Sequence, residues 1–253
     1  MRVLEIASEK NPTFKTILRL AKARGIKKYG LSLLSGKRQV MEVLKEFPER
    51  CEGIILSDHK DLPHGVVQQD IPCYHLSPEL FGQIDVFGTR QAVLMVSVEP
   101  LTEPVDDPWP SGCTLCVPFQ DPANVGAVIR AAAAFGVSRV VLLKEAAHPY
   151  HPKSFRVAGS NLLRVPLFRG PSLAGVNRYR VPIITLSPEG KEISNYKFPP
   201  SFCLVPGLEG EGLADNLKGS DQISIPMEPG VESLNAAMAT GIALYVWRSR
   251  LGK

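Results

Sequence analysis

The sequence has neither a Walker-type phosphate loop nor a Gly-x-Gly-x-x-Gly fingerprint. Those absences argue against a P-loop nucleotidase and against a dinucleotide-dependent oxidoreductase on a Rossmann sheet. Cysteine is sparse, five in 253 residues. Cys113 and Cys116 have the spacing of half a zinc site, but no second pair follows, and on one strand an odd separation turns them to opposite faces. Buried reduced thiols are therefore expected, with no metal and no disulfide framework. His148 and His151 flank Pro149 and are expected in a loop, exposed rather than acting as ligands. There is no secretory leader and no apolar run long enough to span a membrane, so a cytoplasmic protein is expected. No internal repeat is present. The formal net charge of +4 says little by itself.

Three segments carry the information. In the first, Cys113 to Phe119 reads as a buried strand, broken by Asp121-Pro122 because proline gives no amide hydrogen to a ladder. A helix with many small side chains follows, containing Asn124, Gly126, Arg130 and Ala132 and stopping at Phe135-Gly136. Val137 to Leu143 is then another buried strand, and such a strand–helix–strand unit belongs to a parallel sheet. Arg130 keeps its charge at any accessible pH, and its planar fork suits a phosphate or a developing oxyanion.

The second segment is the apolar strand Phe202 to Val205, ending in a loop with Gly207, Gly210 and Gly212, where backbone can approach a ligand closely. The third is the short strand Ile223-Ser224-Ile225, cut by Pro226 and followed by a turn at Pro229-Gly230. A helix then begins near Ser233, which is expected to cap it. That helix is apolar or small nearly all round until Arg248, so it should be buried on most sides, in part against a second copy of itself.

Together these segments resemble the three motifs of the SpoU (TrmH-type) ribose 2′-O-methyltransferases of the SPOUT superfamily. Asn124, Gly126, Arg130, Ala132 and Phe135-Gly136 match the first, and Gly207, Glu209 and Gly212 the second. Ile225-Pro226-Met227 and Ser233-Leu234-Asn235 match the third. The resemblance implies an α/β catalytic domain with a parallel sheet and a deep trefoil knot, S-adenosylmethionine as cofactor, and a homodimer with active sites at its interface. Carried over by position, the cofactor contacts are Val205, Gly207, Leu208, Ile225, Met227, Ser233, Leu234 and Asn235, and the catalytic residues are Arg130, Asn124, Glu209 and Asn235. Between the first two motifs, Arg156 and Val165-Pro166 fit the family, whereas Ala158 and Ser160 depart from its usual serine and glycine.

The charge distribution fits a polyanionic substrate. Residues 1–40 hold ten Lys or Arg against two Glu, and residues 146–188 hold six Lys or Arg and no acid. Such segments attract nucleic acid with salt-sensitive affinity. A helix is predicted from Pro12 to Gly25, with Phe14, Ile17, Leu18 and Ala21 along its apolar stripe and Lys15, Arg19 and Lys22 opposite. The chain divides into residues 1–103, a proline-rich linker at 104–112, and a catalytic domain at 113–253. The first part resembles the small L30e-like α/β substrate-binding domain of ribosomal-RNA members, although Thr89-Arg90-Gln91-Ala92 departs from the usual motif there. Lys37, Arg38, Arg156 and Arg164 are the candidate RNA contacts. The expected function is methylation of a ribose 2′-hydroxyl in structured RNA, ribosomal RNA first. The alternatives are a transfer-RNA methyltransferase and a non-catalytic RNA-binding protein that keeps the fold.

Overall fold

The structure is a computed structural model and describes residues 3–57, 71–104, 109–207, 217 and 220–251. They form two compact units, residues 1–100 with 148–163, and residues 101–147 with 164–253.

The first unit is built on a five-stranded mixed sheet. β1 (Val3–Ile6) leads through α1 (Pro12–Arg19) and α2 (Ala23–Tyr29) to β2 (Leu31–Ser35), α3 (Lys37–Glu46) and β3 (Cys51–Ser57). β4 (Cys73–Leu76), α4 (Pro78–Ile84) and β5 (Val93–Ser97) follow, and the sheet order is β1-β4-β3-β5-β2. Phe14, Ile17 and Leu20 pack with Leu33, Ile55 and Phe81 in its core.

The single helix predicted from Pro12 to Gly25 is two helices. α1 is capped by Asn11, whose side chain accepts from the Thr13 and Phe14 amides, and it ends at Arg19. Leu20 is fully buried while Leu18 is 38% exposed, so the apolar stripe is shifted from the one predicted. Gly25 stops nothing. It lies inside α2, where a Cβ would sit 2.0 Å from the Arg19 carbonyl oxygen, and α2 ends at left-handed Gly30.

The second unit holds a six-stranded sheet that is parallel throughout. β6 (Gly112–Val117) runs through α5 (Pro122–Phe135) to β7 (Arg139–Leu142), as the first motif predicts. Asp121 caps α5 by accepting from the Ala123 amide, and Gly136 closes it in the left-handed region. The chain then leaves for the first unit, where α6 (Pro152–Ala158) packs on β2 and the one-turn segment Gly159–Leu163 packs on α3. Residues 148–163 thus belong with the first unit, although the sequence assigned them to the catalytic domain. Phe155 and Leu162 are apolar anchors that find their partners there, each at most 1% exposed. His148 and His151 are half-buried rather than exposed; His151 caps α6 through Nδ1, and burial lowers both imidazole pKa values, that of His148 to about 4.

The chain returns as β8 (Leu167–Arg169), β9 (Ile183–Glu192), β10 (Ser201–Val205), β11 (Asp221–Ser224) and α7 (Ala236–Ser249), with sheet order β11-β9-β10-β6-β7-β8. Residues 101–104 join this unit too, Thr102 accepting from the Arg169 amide at 2.8 Å. All five cysteines are free and buried. Burial holds the Cys113 thiol well above its usual pKa, and a hydrogen bond to Cys203 together with burial does the same for Cys116.

β11 pairs with β9 in two registers. Asp221 and Gln222 face Ile184 and Thr185, then Ile223 and Ser224 face Lys191 and Glu192, so residues 186–190 bulge out between them. Gly190 closes the bulge. A Cβ there would lie 2.6 Å from backbone atoms of Gln222 and Ile223, and no rotamer change relieves a clash with backbone. Gly190→Ala is expected to lower unfolding free energy by about 1–3 kcal/mol in urea denaturation. Gly82→Ala, in α4 where a Cβ meets nothing within 4 Å, should instead be neutral or stabilising.

Candidate active site

Three strand ends of the second unit enclose a cavity of about 170 Å³. The bulge of β9 supplies Leu186, Ser187 and Pro188, and the residues after β10 supply Pro206 and Gly207. β11 and its continuation supply Ile223, Ile225 and Met227, while the approach to α7 and its first turns supply Ser233, Leu234, Ala236 and Ala239. This is the carboxyl edge of a parallel sheet, where α/β proteins take their ligands. None of these side chains is charged. Among the described residues the polar lining is two serine hydroxyls and backbone, which suits a nucleoside better than a phosphate-rich ligand that needs cations.

Beside the cavity the first and third motifs meet. Asn235, rather than the predicted Ser233, is the N-cap of α7: its Oδ1 accepts from the Ala237 amide at 3.0 Å and the Met238 amide at 3.1 Å. Ser233 lies two residues earlier and faces the cavity. Because the cap consumes Oδ1, the orientation of the Asn235 amide is fixed, and its Nδ2 donates to Asn124 Oδ1 at 3.2 Å. Asn124 stands in the first turn of α5, so one hydrogen bond joins two helix N-termini.

The other predicted residues fall in different places. Gly207, Ile225, Met227, Ser233 and Leu234 line the cavity. Val205 does not: as the last residue of β10 it is fully buried, packed with Cys116, Cys203 and Leu217. Leu208 and Glu209 lie outside the described residues. Arg130 is exposed on α5 and is not among the residues that line the cavity, and among the described residues it makes no hydrogen bond or ion pair. Lys37 and Arg38 open α3, and Arg156 lies on α6, all in the first unit, whereas Arg164 is exposed in the second. Sequence reasoning missed Leu186, Ser187 and Pro188, although Ser-Pro after an apolar strand is itself a sign of a strand breaking off.

The apolar stretch of α7 is half covered. Ala237, Thr240, Ala243, Leu244 and Trp247 are buried, and α7 packs on α5. Met238 and Tyr245 remain 59% and 60% exposed, with the Tyr245 ring edge-on to Phe135 at 6.1 Å.

A parallel sheet whose carboxyl edge holds a cavity lined, among the described residues, by uncharged side chains, with paired helix N-termini beside it, defines an α/β domain suited to a nucleoside-like ligand. The chain belongs to the SpoU rRNA Methylase family, whose model matches residues 114–245, more than half of its length. Over 250 residues it is 45% identical to ribosomal RNA small subunit methyltransferase G 2 of Syntrophobacter fumaroxidans, covering 98% of this chain and 49% of that protein. The chain thus spans about half the length of that relative. It is 28% identical over 247 residues to the 23S rRNA (guanosine(2553)-2′-O)-methyltransferase RlmP of Bacillus subtilis, covering 95% of this chain and 98% of that one. The crystal structure of an AdoMet-bound rRNA methyltransferase from Sinorhizobium meliloti shares the fold, with a TM-score of 0.78 over 99% of both chains at 22% identity.

The cap geometry gives a test. Asn235→Ala should cost about 1 kcal/mol of stability in denaturant unfolding, the usual price of losing a side-chain cap. Asn235→Asp keeps the acceptor for both amides and should restore most of that loss while removing the donor to Asn124. If alanine is as stable as asparagine, the cap is not what holds α7.

Proposed function

We propose that this chain is an S-adenosylmethionine-dependent methyltransferase acting on a ribose 2′-hydroxyl of RNA, ribosomal RNA first. The observation that carries the reading is the cavity walled by Gly207 of the second motif and by third-motif residues, with Asn235 tying its rim to Asn124 of the first. The names of the relatives support it, one for ribosomal RNA and one for 2′-O-methylation of a 23S guanosine.

The cofactor would supply a methyl group already activated by sulfonium charge. Gly207, Ile225, Met227, Ser233 and Leu234 would hold it, apolar walls taking the heterocycle while hydroxyl and backbone groups answer its polar edges. The remaining task for the protein is to bring a weak nucleophile into line and hold it there. Asn124 and Asn235 are placed to orient the ribose at the helix mouths. Arg130 would stabilise charge on the oxygen or hold the adjacent phosphate, an electrostatic contribution that needs no metal. Glu209 is assigned to the loop beside the cofactor. Lys37, Arg38, Arg156 and Arg164 would contact the RNA.

Arg130 stands six residues beyond Asn124 on α5, about 120° around the axis and about 9 Å along it. The two side chains therefore face different ways. A homodimer packed through the exposed apolar face of α7, where Met238 and Tyr245 stand, would let Arg130 of one chain serve the cavity of the other. The catalytic unit is read as the knotted SPOUT fold, and the mixed sheet of the first unit fits an L30e-like substrate-binding domain. No helix among the described residues is long and apolar enough to cross a membrane, and we place the protein in the cytoplasm with its RNA.

The test is to incubate the protein with methyl-labelled S-adenosylmethionine and total RNA from cells lacking it, then digest and map the label. A labelled 2′-O-methyl nucleoside is expected. Label on a base would overturn the acceptor, and no label despite cofactor binding would indicate a non-catalytic protein. Arg130→Ala should slow transfer by about 100-fold or more while cofactor affinity is unchanged; near-normal turnover would remove Arg130 from its role.

A further inference from the structure

We infer that the first unit carries a stacking platform for an unpaired RNA base, made by Phe87 and Arg156 and flanked by Lys37 and Arg90. Three separate stretches of chain meet there. The Arg156 guanidinium lies over the Phe87 ring at 4.3 Å. The Lys37 amide donates to Gln91 Oε1 at 2.9 Å, fixing the start of α3 to the loop that contains Phe87. Gly159, at the end of α6, sits so close to α3 that a Cβ would touch Gln39 and Glu42 at 3.6 and 3.7 Å.

The loop itself is held in a costly shape. Among the described residues Arg90 is the one non-glycine with positive φ, at 52°. Asp85 holds it there, accepting from the Arg90 amide at 2.6 Å and from the Thr89 hydroxyl at 3.2 Å. Strained backbone that presents an exposed arginine is a mark of function rather than of packing. The acids nearby are engaged: Asp85 is buried at 7% exposure, and Glu42 pairs with Arg38 at 2.8 Å. A half-buried aromatic ring with a guanidinium over its face, near the exposed residues Lys37 and Arg90, fits a base splayed out of a single-stranded loop with its phosphates alongside. Duplex RNA, whose bases are stacked on one another, has no such face to offer.

This inference rests on the reading of the chain as an RNA methyltransferase. The test compares binding of the full chain to a short single-stranded oligoadenylate and to an RNA duplex of the same length, across a salt series, with S-adenosylmethionine binding measured in parallel. Phe87→Leu keeps an apolar contact but no ring, and Arg156→Lys keeps the charge but no plane. Each should weaken oligoadenylate binding by about 5- to 100-fold while leaving duplex binding and the salt slope as in the parent. Arg90→Ala should weaken both and shallow the log–log salt slope by about 0.7–0.9. If the parent binds oligoadenylate and both Phe87→Leu and Arg156→Lys bind it equally well, the platform is wrong while the RNA reading stands. If the parent binds the cofactor but neither RNA, the RNA reading fails and the platform with it.

Discussion

Two helices that point their N-termini at one place bring like partial charges and a crowd of unanswered amides together. The second unit depends on how α5 and α7 answer this. Asp121 places a carboxylate at the mouth of α5, and Asn235 places an amide at the mouth of α7. The capping oxygen of Asn235 faces its own helix, so its nitrogen is left to reach Asn124. Helix capping, electrostatic relief and the meeting of first and third motifs are thus one arrangement. The cavity exists because the chain entering α7 is held there.

The parallel sheet sets the other boundary. With all six strands running the same way, every connection must cross over, and every carboxyl end opens on the same edge. β9, β10 and β11 bring their ends together there, and the bulge in β9 turns Ser187 and Pro188 into a wall. Gly190 allows that bulge to close against β11 at backbone distance. Among the described residues the cavity is therefore lined by apolar side chains, two serines and backbone, because strand ends supply mainly such groups.

The strands and helices of the second unit were legible because buried parallel strands are short apolar runs set apart by turn residues, as Cys113 to Phe119 and Val137 to Leu143 show. The cap of α7 was not. Ser233 and Asn235 are both good caps, and only the path of the chain past the cavity decides between them. Val205 looked like a cofactor contact from its place in the motif, but alternation along β10 turns it into the core. Gly25 has the sequence signature of a helix stop, yet it lies inside α2 and lets that helix approach the end of α1, a tertiary contact that local pattern does not encode. Arg130 was legible as a cation on α5, while the direction it faces required the helix itself.

Residues 148–163 lie between two strands of the second sheet in sequence but are built into the first unit in space. The chain therefore passes between the two units more than once. A gene fragment starting at the first strand of the parallel sheet would carry Phe155, Ala158 and Leu162 away from β2 and α3, leaving apolar surface stranded in water. A change in the first unit that shifts β2 must be matched by a change in a segment encoded more than a hundred residues later. Replacement of the first unit by recombination would have to bring that segment along, so a single crossover between the units would not exchange a complete first unit.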